Sequence, residues 1–333
     1  DGSVADIGCF SYASTYSGPD WYVSTTGNNA TASGAIDDPF LSIQAGINLA
    51  SDGDRINVEA GTYVENITFL GKNIEVVGQD SSKTIIDGGQ SGPVVRFQNG
   101  ENETALLKNF TLTNGSGYFD INVTKGGGVY CYGNMASPTL ENLCITGNQA
   151  DQGGGVHALN SSIIIKTSRI IQNSAESGGG MWLEGQDGGA TIMDSHINHN
   201  QAGNGGGIYF YAFNKSTFNN VHISHNTATG RGGGCYLTWN SEPIFRNFSI
   251  SSNTATNNGG GVYSQEESTP LFNSGNFWGN LAQNGGGIYA QNAGYLSNDN
   301  TSGPNPLSLF SVKFDDNDAT FFWSSTKASS LAN

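Results

Sequence analysis

Basic residues are scarce: 13 Lys and Arg stand against 28 Asp and Glu among 333 residues, a formal net charge of −15. That balance excludes nucleic acid and anionic membrane surfaces as partners, because long-range repulsion opposes both. It also sets a condition on any acidic polysaccharide, which would need a local basic cleft or a bridging Ca²⁺ to approach. Long apolar runs are missing. No stretch of 18 residues is apolar throughout, so no membrane insertion is expected, and no signal-peptide pattern opens the sequence. Cysteine is sparse too. Cys9, Cys131, Cys144 and Cys235 lack the paired spacing of a metal site, and Cys131 and Cys235 fall at inward strand positions that suit small buried thiols. Helical periodicity is confined to one short segment.

What is abundant is glycine, 48 residues of it, and it is periodic. A Gly-Gly-Gly triplet, an apolar residue and then an aromatic ring or histidine recur seven times. The triplets end at Gly128, Gly155, Gly180, Gly207, Gly234, Gly261 and Gly287, in steps of 27, 25, 27, 27, 27 and 26. An apolar residue followed three positions later by Asn precedes the last six, from Ile145–Asn148 to Phe277–Asn280, and Phe314–Asn317 repeats it. A fixed period of this length means a stack of equivalent units. Within a unit the apolar residues alternate, as in Val129-Tyr130-Cys131-Tyr132 and Ile208-Tyr209-Phe210-Tyr211, which is the strand pattern. Two further strands recur, as Thr139-Leu140-Glu141 and as Leu143-Cys144-Ile145. Three short strands joined by Gly, Asn and Ser turns make one coil of a parallel β-helix, with like strands about 4.8 Å apart. The glycines suit a sharp corner, and an Asn repeated at one corner can stack into an amide ladder.

The sequence therefore predicts an all-β chain: a right-handed three-sheet parallel β-helix solenoid of about ten coils with a short N-terminal capping helix. Residues 1–20 read as a lead-in, and residues 21–54 hold a first strand and the cap. After Asp38-Pro39 the helix would present Phe40, Ile43, Ile47 and Ala50 on one face, covering the open end of the stack. Residues 55–333 form the solenoid, from Arg55-Ile56-Asn57-Val58 onward, with an Asn/Ser/Gly/Pro-rich insertion at 292–307. Because Ser330-Leu331-Ala332-Asn333 matches the opening of a further strand, the solenoid is expected to be part of something longer.

The segments Asp54-Arg55-Ile56-Asn57-Val58-Glu59-Ala60-Gly61-Thr62-Tyr63 and Thr84-Ile85-Ile86-Asp87-Gly88 resemble the N-terminal part of secreted, pectate-lyase-like right-handed β-helix proteins. The later coils are similar to the repeats of polymorphic outer membrane proteins, which pair Gly-Gly-Ala-aliphatic with Phe-X-X-Asn. Here the triplet is Gly-Gly-Gly, and Ile replaces Phe in five of seven cases. Asp1-Gly2-Ser3-Val4-Ala5-Asp6-Ile7-Gly8 resembles the tail that closes one such domain before another. The resemblance implies an extracellular, secreted or cell-surface protein. It does not imply one activity, since the superfold hosts lyases, hydrolases, esterases and adhesins.

Stacking turns each repeat position into a column. The residue two after each triplet is Tyr130, His157, Trp182, Tyr209, Tyr236, Tyr263 or Tyr289, flanked by small or aliphatic neighbours. The expectation is an outward aromatic stripe, and two readings stand. It is a platform for sugar rings, or it only stabilises the sheet by contacts of roughly 0.2–1 kcal/mol per pair. His196 and His222 repeat one coil apart, and His199 with His225 repeats the offset, so these four are a candidate Zn²⁺ or Cu²⁺ set unless coil duplication alone explains them. For catalysis, Lys166 and Arg169 share a strand region with Glu141 and Asp194 on adjacent coils, while Asp315, Asp316 and Asp318 form an acidic cluster that could hold a cation such as Ca²⁺. Ordinary surface ion pairs and a solvated turn explain both groups equally well. The minimal turns favour an adhesin-like or glycan-contacting rod about 50 Å long, taking a polysaccharide or cell-surface glycan. A secreted polysaccharide lyase or glycoside hydrolase is the alternative, and a structural spacer that self-associates or carries neighbouring domains is the third.

Overall fold

The computed structural model describes residues 16–133, 136–185, 189–291, 308–317 and 321–324. Among these the chain winds as a solenoid of three sheets with 16, 10 and 7 strands, and every strand pairing is parallel except in one hairpin, Tyr118–Asp120 with Val123–Lys125. The ten-stranded sheet takes one strand from each coil, beginning at Ile67–Thr68 and running through Val129–Tyr132, Ile208–Tyr211 and Ile288–Gln291. One contiguous apolar core fills the tube from Trp21 to Ile288. The single short helix, Ile43–Leu49, is capped by Ser42 and by Glu65, whose carboxylate accepts the N–H groups of Ile43 and Gln44 at 2.8 and 3.0 Å. Phe40, Ile43, Ile47 and Ala50 are all buried, as the helical pattern predicts, although the helix starts after Ser42 rather than at Pro39.

The three sheets divide the coil differently from the sequence reading. The two strands expected separately, such as Thr139–Glu141 and Cys144–Thr146, lie in one bent sheet. In later coils they fuse into eight-residue strands, such as Thr191–Asn198 and Ile244–Ser251, that keep the bend through one left-handed residue: Asp194, Asn220, Asn247, Ser274 or Ser311. The third sheet is a run of polar segments, Gln149–Gln152, Ser174–Ser177, Gln201–Asn204, Thr227–Ala228 and Thr254–Ala255, joined by the hairpin. Its strands carry few apolar residues to alternate, so no period-two signal marks them.

Two corners explain the repeated residues. The first glycine of each triplet is left-handed, with φ from 61° to 70°. At the second and third glycines of the first six triplets, a Cβ would lie 2.3–2.6 Å from a backbone oxygen of a neighbouring coil, so only glycine lets the coils close to sheet distance. At the other corner, Asn148, Asn173, Asn200, Asn226, Asn253, Asn280 and Asn317 stack as the expected ladder. Each Oδ1 after the first accepts both the N–H and the Nδ2 group of the Asn one coil before, at 2.9–3.1 Å. Each Nδ2 also donates to a carbonyl of the preceding coil, Ile197 in the case of Asn226. The ladder thus satisfies polar groups that the core would otherwise strand.

Candidate functional site

Strand register places Thr68, Arg96, Tyr130, His157, Trp182, Tyr209, Tyr236, Tyr263 and Tyr289 in one column. The sequence finds seven of these. Their rings stay out of the main core, and Tyr209, Tyr236, Tyr263 and Tyr289 pack as a cluster of their own. They do not form the open stripe expected. From Tyr130 to Tyr289 successive rings lie 4.3–6.2 Å apart, most of them nearly parallel, so each covers its neighbour's face. Tyr209 is half-buried, and the other six are buried. The glycine corner closes one side: a Cβ at Gly232 would stand 2.9 Å from that of Tyr236. Parallel coils at sheet spacing hold the rings face to face, which leaves no flat apolar surface for a sugar.

His157 has 0% exposure, like Tyr263, but neither of its ring nitrogens has a hydrogen-bond partner among the described residues. Burial, with Lys125 adding repulsion, lowers its pKa to about 3. A depressed histidine pKa means that the unfolded chain binds the proton more tightly. The stability involved is present above pH 6.5 and is lost as pH falls from there toward 3. Between pH 7 and pH 5 the wild type should therefore lose about 2 kcal/mol more unfolding free energy than His157→Phe, read from urea melts at the two values. Equal losses would show that the imidazole is solvated.

The four remaining histidines form two separate stacks rather than one cluster. His196–His222 and His199–His225 each have centroids 4.9 Å apart, with ring planes 11° and 1° from parallel. Zinc needs donors about 2.0–2.1 Å from the metal, hence no more than about 4.2 Å from each other. Stacked imidazoles at strand spacing do not converge in this way. Among the described residues no group of three or more His, Cys, Asp or Glu side chains is placed to hold a metal ion. Arg169 is paired in register with His196; burial first, then His222 and Arg169, lowers that imidazole's pKa.

The catalytic candidates are also dispersed. Lys166 is in register with Glu141 and Met193, but the Glu141 carboxylate sits 2.7 Å from Lys108, and Asp194 accepts from Asn220 at 2.7 Å. Both carboxylates expected beside Lys166 and Arg169 are thus engaged elsewhere. Asp315 ends a strand in register with Trp278, and Asp316 occupies the left-handed corner before Asn317; both are exposed. Asp318 lies outside the described residues, as do the 292–307 insertion and Cys9.

The structure assembles a different site at the start of the aromatic column. An open groove of about 820 Å³ runs between residues 90–93, the Tyr118–Lys125 hairpin and the polar strands Gln149–Gln152 and Ser174–Ser177. Its floor carries Arg96, half-buried, with the guanidinium 6.0 Å from the Tyr118 ring centre. Tyr118 in turn stacks on Tyr130 at 5.0 Å and 17°. Among the described residues no carboxylate lies within 4 Å of Arg96, whereas Lys125 on the same hairpin is paired with Asp120 at 2.8 Å. Phe119, 68% exposed, and Thr124 line the groove; on its far side Asp151 accepts from the Thr124 N–H and hydroxyl at 2.7 and 2.9 Å, and Glu176 is exposed. The Tyr130 phenol is pushed up to about 12, mainly by burial and then by Asp120, so it is a neutral support at ordinary pH. An unpaired guanidinium beside aromatic rings and hydroxyls can bind a carboxylate or sulfate by paired hydrogen bonds while a sugar face rests on the rings. Sequence reasoning passed over Arg96 because its coil lacks the glycine triplet. The coil from Arg96 to Tyr130 spans 34 residues and contains the hairpin, so the register of the strands finds Arg96 where the repeat length does not.

The profile of the family described as the right handed beta helix region matches residues 56–250, more than half of the chain. The chain belongs to this right-handed β-helix family. A repeat of the Chlamydia polymorphic membrane protein type matches residues 247–265 of the β-helix. No curated protein matches. Among solved structures, pectate lyase Pel9A aligns over 93% of this chain and 78% of its own, at 16% identity and a TM-score of 0.57. Pectin methylesterase PemA from Erwinia chrysanthemi aligns over 86% and 92%, at 9% identity and a TM-score of 0.45. At 16% identity the likeness to Pel9A concerns the fold alone. No helix among the described residues is long and apolar enough to cross a membrane.

Proposed function

We propose that this β-helix is an extracellular, glycan-contacting rod, adhesin-like in character and part of a larger secreted or surface protein, whose groove at Arg96 holds an acidic saccharide. One observation carries the reading: a half-buried arginine without an ion pair among the described residues sits in a large open groove of a chain with net charge −15. In so acidic a protein, carboxylates are the cheapest partners for a guanidinium, and leaving one unpaired beside exposed aromatic and hydroxyl groups reserves it for an anionic ligand. The match of residues 247–265 to a membrane-protein repeat supports placement at a cell surface. The fold shared with a protein named as a pectate lyase makes a polyuronate the first ligand to try.

Titrating the protein with oligogalacturonides by calorimetry tests this. Arg96→Ala should weaken binding roughly ten- to hundredfold, the worth of charge-assisted hydrogen bonds, and the wild-type affinity should fall as salt rises. A neutral oligosaccharide of equal length should bind weakly and indifferently to the substitution. Unchanged uronide affinity in a folded Arg96→Ala variant would leave the spacer role. The groove also brings Arg96 together with Asp151 and Glu176, so a lyase or hydrolase is the second reading. Appearance of new chain ends during incubation, abolished by Arg96→Ala, would favour it over a binding rod.

A further inference from the structure

At the opposite end of the same strands from the triplets, the corner between the ten-stranded and bent sheets carries exposed aromatics on two successive coils. Tyr211 ends the strand Ile208–Tyr211, and Phe213 and Trp239 follow on the turns. Phe213 is 40% and Trp239 52% exposed, and the Tyr211 and Trp239 rings lie 5.9 Å apart at 46°. Tyr211 also packs against Trp182 of the column, at 5.6 Å and 35°, so the open surface of the corner belongs mainly to Phe213 and Trp239. The Phe213 N–H donates to the Trp239 carbonyl at 2.8 Å, which ties the two turns together. Both residues have left-handed backbone, φ 58° and 54°. The same corner is left-handed at Asn160, Ala212, Asn240, Glu266 and Glu267 too, so the conformation belongs to the corner and accepts many side chains. Rings this exposed gain little from folding, so Phe213 and Trp239 leave apolar surface open to a partner.

The charge around these rings is negative. Glu184 is the register partner of Tyr211 one coil before. One coil after Trp239, Glu266 accepts the Thr238 hydroxyl at 2.6 Å, and Glu267 beside it is exposed. Lys215, which follows the Phe213 turn, is 3.9 Å from Glu242, so its charge is already matched. Aromatic faces bounded by carboxylates on both sides suit a cation carried on a ring-shaped, hydroxylated body.

We infer that the Tyr211–Phe213–Trp239 corner is a second saccharide site, selective for sugars bearing protonated amino groups. The rings take the C–H faces of the sugar, and Glu184, Glu266 and Glu267 draw the ammonium groups. This site is separate from the Arg96 groove and has the opposite charge preference, and its assignment does not depend on that groove.

A glucosamine pentamer, its fully N-acetylated counterpart and a tetralysine peptide serve as probes, with calorimetry as the readout and the change in tryptophan fluorescence, absent in Trp239→Ala, as a second. The glucosamine pentamer should bind, Trp239→Ala and Phe213→Ala should each weaken it about tenfold, and Glu267→Gln should weaken it less while leaving the fold intact. Arg96→Ala should leave this binding unchanged. Raising the pH until the amines lose their protons should weaken it as well. No binding, or equal binding by folded Trp239→Ala, would overturn the site. Equal binding of the N-acetylated pentamer would overturn its charge selectivity. Tetralysine competing as well as the sugar would overturn the saccharide assignment in favour of a basic peptide, and a dimer lost in Trp239→Ala would overturn it in favour of a second copy of this chain.

Discussion

Replacing Asn226 by alanine is expected to lower the unfolding free energy by roughly 3–5 kcal/mol, because the change strands partners in a dry interior. The Asn226 amide oxygen accepts the N–H and Nδ2 of Asn200, both at 3.0 Å, and its Nδ2 donates to the Ile197 carbonyl at 2.9 Å and to the Asn253 oxygen at 3.0 Å. Asn226 has 0% exposure, so water cannot replace these bonds without opening the coil. Each orphaned group costs about 1–3 kcal/mol, and at least two donors and one acceptor are affected. Asn226→Asp supplies an informative contrast. It keeps an acceptor for Asn200 but sets a carboxylate against the Ile197 and Asn253 oxygens. It should therefore be worse than alanine at neutral pH and recover in mild acid, where the protonated carboxyl can donate. Urea unfolding at two pH values reads both effects. A loss below about 1 kcal/mol for Asn226→Ala would mean that the ladder is decoration rather than support.

Gly233→Ala should be at least as damaging, about 3 kcal/mol or more, for a steric reason. A Cβ there would lie 2.5 Å from the Gly260 carbonyl oxygen and 2.6 Å from that of Thr254. Both atoms are backbone, so no side chain can rotate away. The Gly260 oxygen also accepts the Gly234 N–H at 3.0 Å, and widening the corner to admit a methyl group breaks that inter-coil bond. The comparison is Gly53→Ala. Gly53 has φ 87° but no atom within 4 Å of its would-be Cβ, so only local backbone strain opposes the change. Thermal melts should rank Gly233→Ala clearly below Gly53→Ala. Equal melting points would show that the triplet is kept for its backbone flexibility rather than for close approach.

These two positions also mark what the sequence discloses. A residue that must be the same in every coil, because the coil above touches it, shows up as a period; hence the triplets, the Asn ladder and the core strands are readable, as is the helix face of Phe40, Ile43, Ile47 and Ala50. Gln149–Gln152 and Ser174–Ser177 are not, since one alanine among polar residues gives no alternation to read, although Ala150, Ala175, Ala202, Ala228 and Ala255 stack in register. The order of the aromatic column is legible in the sequence but its exposure is not: alternation says that Tyr236 leaves the core, but not that Tyr209 and Tyr263 cover its faces. The groove depends on departures from the repeat, namely the Tyr118–Lys125 hairpin and the triplet-free coil of Arg96. Periodicity carries no information about such breaks, and these are the places where the otherwise uniform rod acquires a concave, chemically distinct surface.

A crystal structure of the protein soaked with a trigalacturonide tests the central assignment most directly. The account predicts a sugar carboxylate paired with the Arg96 guanidinium at about 2.7–2.9 Å, with the neighbouring ring resting near Tyr118 or Phe119. Sugar bound only elsewhere on the rod, with the Arg96 groove empty at saturating ligand, would contradict it.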